Sequence, residues 1–414
     1  MTASSRSDPP AGPPPETPTA RPARVHGPLG IAGLTLVSRV LGFVRWIVQA
    51  STVGAGTVAG AYTTANQVPN VLYEVVVGGA LAATVVPLLA PAAVPARSRE
   101  ASRTASGLLG VVLAVLTPLA LLLVVLADPI ARLLPSSAGA DPALQADLVA
   151  DFLRMFAAQV PLYGVGVVLT GVLQAMGRFA WPALTPVLSS LVVMATYAVY
   201  GAMTAGSGDR AGPAALSVLG WGTTAGVAAL SLPLLYPVVR LGVRLRPTLH
   251  LDRTVAWRAL RMGGAGVWTL VAQQLSVLAV LALARSGGRT GTVAVYQYTQ
   301  AVYMLPYAVL AVPVATVVYP RLAAAFDSED RDGAGRTGRY PARAVELAAA
   351  STALVTAVAL AGSGMLMAAS AGAERFFALL TDVDGMGLSL AVLAPGLVGY
   401  ALVYQVTRIL FAAG

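Results

Sequence analysis

Two arginines, Arg39 and Arg45, stand inside a stretch that otherwise reads as a membrane span, GIAGLTLVSRVLGFVRWIVQA from Gly30 to Ala50. An ionised arginine near the middle of a bilayer costs about 2.5–3.5 kcal/mol even on the lenient insertion scale, so two in one helix call for a polar environment. On a helix Ser38, Gly42, Arg45 and Gln49 share one face at i, i+4, i+7 and i+11, with Arg39 one step round from Ser38. Leu36, Val40, Phe43 and Ile47 take the opposite face. A cationic, polar, thinly packed face suits the wall of a cavity that recognises charge. Bond-making chemistry is not indicated: the chain has no cysteine, which excludes thiol catalysis, disulfides and cysteine-ligated metals. Both histidines, His26 and His250, fall outside the apolar runs, and neither a metal nor a cofactor is expected.

Other polar residues inside apolar runs extend this set. Glu74 is the only acidic residue deep in a span, and reads either as a counter-ion for Arg39 or as a protonation switch coupled to a gradient. Gln273, Gln274, Gln297 and Gln300 either line the cavity or bond neighbouring helices. Tyr73, Tyr296, Tyr298 and Tyr303 are open to packing, interface anchoring or ligand contact. Gly42 and the cluster Pro69, Gly78, Gly79 and Pro87 permit close helix approach and bends, the properties of a hinge.

The elements that must position these residues are membrane helices. The 414 residues are 57% hydrophobic and only 11% charged, with a mean hydropathy of +0.73, far from any soluble domain of this size. Apolar runs of spanning length recur about ten times, near 30–50, 62–92, 106–127, 148–175, 181–204, 214–240, 257–284, 291–320, 343–369 and 387–411. The runs are long and continuous, unlike the short alternating strands of a membrane barrel. The expectation is an all-α polytopic membrane protein: a six-helix lobe over 29–241, a basic linker over 242–256, and a second, incomplete lobe over 257–414. The linker either lies along the membrane surface as an amphipathic segment or is a solvated loop. Residues 1–28, rich in Pro, Ala, Ser and Thr, read as a disordered tail.

The net charge of +9 is carried entirely by arginine on the basic side. With a cytoplasmic amino terminus, eighteen arginines fall in cytoplasmic segments and five in the opposite loops, satisfying the positive-inside rule. Charge therefore reports topology rather than nucleic-acid binding. Four remain within or at the ends of spans: Arg39, Arg45, Arg154 and Arg408. Arg154 reads as interfacial.

The segment SRVLGFVR (Ser38 to Arg45), the GAG of Gly54 to Gly56, and VPNVLYEVVVGGALAATVVPLL (Val68 to Leu89) resemble the opening of the MurJ (MviN) family of lipid II flippases. GVLQAMGRFAWPALTPVL (Gly171 to Leu188), QAVYMLPYAVLAVPVATVVYPRLAAAF (Gln300 to Phe326) and VTRILFAAG (Val406 to Gly414) look like later parts of the same family. The resemblance implies a two-lobed alternating-access transporter of fourteen spans, about four of them missing here. It also implies a substrate: a peptidoglycan precursor on a polyprenyl diphosphate, moved from the cytoplasmic to the outer leaflet of the bacterial plasma membrane. Membrane lipids and cell-wall synthesis or division proteins are the implied partners. Arginine forks match phosphate oxygens bidentately, so Arg39 and Arg45 would meet the diphosphate, with Ser38, Gln49, Tyr73, Gln273, Gln274 and Gln300 around the headgroup. Gly60, Tyr73, Glu74 and Ala301 depart from the family pattern, standing where an acid, an arginine, its neighbour and a further cavity arginine are expected. Two other readings remain: a cation-coupled exporter of drugs or another lipid-linked glycan, and a non-transporting scaffold with a tightly packed core.

Overall fold

The computed structural model describes residues 28–74, 98–139, 141–205, 211–249, 253–308, 318, 322, 325–326 and 342–413. Among them the regular elements are all helical: α1 (Pro28–Thr52), α2 (Thr57–Tyr73), α3 (Ser98–Val125), α4 (Ala127–Leu133), α5 (Pro142–Phe156), α6 (Gln159–Ala175), α7 (Ala180–Thr204) and α8 (Pro213–Ser231). A 3-10 turn (Leu232–Leu234) leads to α9 (Leu235–Arg240), followed by α10 (Arg253–Ser286), α11 (Thr292–Pro306), α12 (Ala342–Ala378), α13 (Met386–Leu393) and α14 (Gly396–Ala413). Local chemistry sets several boundaries. Pro142 and Pro213 occupy the first turns of α5 and α8, where a missing amide costs nothing, and the Asp141 carboxylate accepts the Ala143 amide at 2.9 Å.

Every expected span contains a helix. Five stretches among the described residues are long and apolar enough to cross a bilayer: Glu100–Val125, Pro142–Ala175, Ala180–Thr204, Pro213–Arg240 and Ala342–Ala378. A sixth forms if α13 and α14, bent by 44° at their junction, act as one span. The helices that carry the polar set, α1, α2 and α11, are not among these; the described parts of α2 and α11 are only 17 and 15 residues long. The outer surface is hydrocarbon-like: Leu121, Val125, Leu283, Leu360, Val392 and Val403 are all more than half exposed. Such a surface is costly in water and suits lipid tails.

Packing follows the two-lobed plan. In the first lobe α7 packs along α8 and α1, α2 along α5, and α3 along α6. Tyr62 meets Phe152 and Phe156 edge-on, each at 5.6 Å between ring centroids, and these rings centre the core. Second-lobe packing gathers around Tyr303, Leu366, Leu390 and Leu397, with Val355, Ala359 and Ala401 alongside. Since lipid is as apolar as leucine, close van der Waals fit rather than water release holds these helices together. Between the lobes, residues 243–248 run extended along α3: the Arg244 and Arg246 amides donate to the Ser102 and Ser106 hydroxyls at 3.1 and 3.0 Å, and the Thr248 amide donates to the Ser106 carbonyl at 3.2 Å. α10 then starts at Arg253.

At the end of the bundle carrying Gly54, the lobes share one seal. Tyr298 of α11 donates its hydroxyl to the Gly54 carbonyl at 2.7 Å, and its ring lies between Trp46 and Phe377. Gly291, left-handed at φ +89°, packs so tightly on Ala55 that an added Cβ would overlap the Ala55 carbonyl oxygen. The Ala138 amide donates to the Gly288 carbonyl at 3.2 Å, and the Thr290 amide donates to the Ala138 carbonyl at 2.8 Å. Arg285, 3% exposed, reaches from the end of α10 into the first lobe. Its Nε donates to the Pro135 carbonyl at 2.5 Å, Nη1 to the Thr64 hydroxyl at 3.1 Å and Nη2 to the Gln145 side-chain oxygen at 3.4 Å.

Candidate substrate cavity

Beyond the seal, α1, α2 and α11 part around a cavity of about 610 Å³, closed behind by α6, α7 and α8. α1 contributes Arg39 and Arg45 with Gly42, and α11 contributes Gln297 and Gln300. Arg39 and Gln300 are exposed to the space; Arg45 is half-buried, its guanidinium 5.5 Å from the centre of the Trp46 ring. Neither arginine lies within ion-pairing distance of a carboxylate among the described residues. Two unneutralised cations in a low-dielectric recess focus a positive potential on whatever enters.

The sequence missed the contribution of α2. Asn66, Gln67 and Asn70 line the cavity at i, i+1 and i+4, a run of amides in an otherwise apolar helix that could have disclosed it. Gln297 donates to Gln67 at 3.4 Å, joining the two lobes across the cavity, and Tyr163 donates to Asn70 at 3.1 Å. Ser189 and Thr223 add hydroxyls. The remaining wall is apolar, including Leu36, Val40, Phe43 and Trp46. Val40 and Phe43, which helical periodicity puts opposite the polar face, thus line the cavity too. A wall that mixes guanidinium, amide and hydrocarbon fits an amphiphile with an anionic head.

The other expected site residues lie elsewhere. Ser38 is half-buried outside the lining. Gln49, 2% exposed, accepts the Tyr197 hydroxyl at 3.0 Å; Tyr197 meets Tyr62 at 2.9 Å, and Tyr62 meets Thr223 at 3.0 Å. This chain of bonds ties α1, α2, α7 and α8 into one body. Tyr73 packs on Tyr163 at 4.5 Å and lines a smaller space of about 260 Å³ within the first lobe. On α10, Gln273 is exposed and Gln274 buried, both away from the lining. Glu74 caps α2, is exposed and makes no ion pair with Arg39 or Arg45. Pro69 is buried within α2, while Gly78 and Gly79 lie outside the described residues. Arg154 is half-exposed and bonds Asp128 at 2.6 Å and Asp151 at 2.9 Å.

The family model for the lipid II flippase MurJ matches residues 49–414. The chain belongs to this family. Its arginine motif on α1 lies just before the matched stretch. A Rhizobium tropici protein named "Probable lipid II flippase MurJ" is 27% identical over 172 residues, 41% of this chain and 32% of that relative. A protein of the same name from Buchnera aphidicola subsp. Acyrthosiphon pisum is 23% identical over 253 residues, 60% of this chain and 47% of that relative. The chain thus spans about a third to a half of the length of these curated relatives. Among solved structures, a lipid II flippase MurJ in an inward closed conformation superposes with a TM-score of 0.72 at 19% identity, covering 93% of this chain and 76% of that one. An inward-facing multidrug resistance transporter of the MATE family gives 0.67 at 13% identity, covering 93% and 86%. At these identities the likeness establishes the two-lobed fold.

Proposed function

We propose that the protein carries a polyprenyl-diphosphate-linked peptidoglycan precursor, lipid II, from the cytoplasmic to the outer leaflet of the bacterial plasma membrane by alternating access. The observation that carries this reading is the placement of Arg39 and Arg45, without a carboxylate partner among the described residues, in a cavity between the two lobes. The amino terminus is cytoplasmic and the Gly54 end faces outward, so the cavity is entered from the cytoplasm. Arg39 and Arg45 hold the diphosphate through charge-assisted forks. Asn66, Gln67, Asn70, Gln297 and Gln300 replace hydration that the sugar and peptide groups lose on leaving water. The polyprenyl tail stays in lipid. A cavity of 610 Å³ suits a drug-sized ligand, so a whole sugar–peptide headgroup enters only as the lobes spread further. An open, charged cavity also supports transport over a scaffold role, which would favour a packed core.

Complementation tests the proposal. Full-length protein should sustain a flippase-depleted bacterial strain, and Arg39→Ala or Arg45→Ala, at equal membrane abundance by immunoblot, should fail to do so. Growth unaffected by both changes would overturn the role assigned to the cavity.

A further inference from the structure

The smaller space beside the cavity, about 260 Å³, lies wholly inside the first lobe, walled by the end of α2, by α6 and α7, and by the junction of α8 with the 3-10 turn. Tyr163 and Leu230 line both spaces, so one layer of side chains parts them. Hydroxyls here behave unlike others in the bundle. Thr196, Thr204, Thr223, Thr299 and Thr407 each donate to the carbonyl one turn earlier, which satisfies a hydroxyl inside an apolar helix. Among the described residues, Ser231, Thr170 and Thr185 make no such bond, and the Gln174 amide has no partner. Ser231 is the extreme case. It is fully buried with its hydroxyl unpartnered, and it stands so close over Gly166 that an added Cβ there would come within 2.5 Å of its oxygen. A buried polar group without a partner costs stability, so four polar side chains around one space point to a ligand that supplies the missing bonds.

From this geometry we infer that the space is a side pocket for one uncharged sugar ring of the lipid-linked headgroup, occupied while the diphosphate rests at Arg39 and Arg45. The inference rests on the reading of the main cavity as a diphosphate site. No charged residue lines the pocket among the described residues, so a phosphate or an ionised peptide end would lose hydration there without recompense. An apolar ligand would leave the hydroxyls unpaired. The volume falls just short of the roughly 300–1,000 Å³ that takes a drug-sized ligand, which suits a single ring. Ser231, Thr170, Thr185 and Gln174 can each donate and accept, as the hydroxyls and acetamido group of a sugar require. Tyr73, packed on Tyr163, adds an aromatic face and a further hydroxyl. The ring enters past Tyr163, which a hydrogen bond to Asn70 holds at the partition. Because every wall residue belongs to the first lobe, the ring is held alike whether the lobes are apart or together. The pocket therefore selects which headgroup is carried and does not bias the direction of movement.

The test uses the full chain in phosphatidylcholine nanodiscs, titrated with two probes and read by native mass spectrometry: bare polyprenyl diphosphate, and the same lipid carrying one N-acetylglucosamine on its terminal phosphate. The unaltered chain should bind the sugar-bearing lipid more tightly. Ser231→Ala and Thr185→Val should each weaken that binding by about five-fold and leave the bare lipid unaffected. Arg39→Ala should weaken both by about ten-fold. Ser231→Ala should not lower the melting temperature, since its hydroxyl has no partner to lose. Equal affinity of the unaltered chain for the two lipids would overturn the inference, as would an undiminished sugar preference in both pocket variants, which would mean that the pocket holds water only. Either result, with Arg39→Ala still weakened on bare lipid, leaves the cavity reading standing. Normal binding of bare lipid by both Arg39→Ala and Arg45→Ala would overturn that reading itself. If Ser231→Ala does not fold, Thr185→Val and Gln174→Ala decide: an unaltered sugar preference in both overturns the inference.

Discussion

Gln49 and Gln300 are the same residue type in apolar helices, and both read from the sequence as ligand contacts; one is 2% exposed, the other faces the cavity. The difference lies in what stands opposite. Tyr197 and Tyr62 arrive from α7 and α2 to engage Gln49, and helical periodicity names a face without naming the neighbour that meets it. Tyr197→Phe should leave the Gln49 oxygen buried without its donor and cost about 1–3 kcal/mol. That loss should appear as a lower melting temperature in detergent with ligand affinity unchanged, whereas Gln300→Ala should lower affinity and leave melting unchanged. Arg39 and Arg45 were legible as cavity residues because charge inside a span is expensive and demands a cavity whichever helices build it. Ser38, Gln273 and Gln274 are cheap enough to sit in several environments, and their types alone could not place them.

At the scale of elements, the ten apolar runs gave helices where helices stand, since length and hydropathy are local properties. The interruptions were not legible: the break between α5 and α6, the 3-10 turn after α8 and the 44° bend between α13 and α14 lie inside continuous apolar stretches. Each depends on what packs against it. Gly291 shows the same dependence, being required by its left-handed backbone and by the Ala55 carbonyl pressed against it. Gly291→Ala should add about 1 kcal/mol of backbone strain and a steric clash, weakening the seal rather than the fold. Because the chain has no cysteine, a single Ala55→Cys reports on this contact. Its labelling by an impermeant maleimide should rise several-fold when Gly291→Ala is added; unchanged labelling would show that the seal tolerates the methyl group. Close approach matters within the first lobe too. Gly222 and Gly226 of α8 face Thr196 and Val193 of α7, and Gly222→Leu should lower the melting temperature by separating those helices.

For the molecule as a whole, the proposed transport requires the lobes to part at the Gly54 end and meet at the other. Backbone bonds between Ala138 and the Gly288 to Thr290 segment cross that line, so Ala138→Cys with Thr290→Cys should form a disulfide that stops complementation until a reductant restores it. Continued growth with the disulfide formed would exclude opening at this end. The two-lobed plan was foreseeable from the family resemblance, but its closure was not, because the bonds that seal it join residues more than a hundred positions apart. Arg285 is the most connected of these, and all three of its acceptors, the Pro135 carbonyl, the Thr64 hydroxyl and the Gln145 amide oxygen, are uncharged. A latch between ions would loosen with acid that protonates its carboxylate, or with salt that screens it. A guanidinium gripping neutral oxygens has no proton to gain over the physiological range and little long-range field to screen. The proposed outward gate should therefore hold equally well in acidic, saline or dilute surroundings, leaving its opening to the ligand rather than to the weather outside the cell.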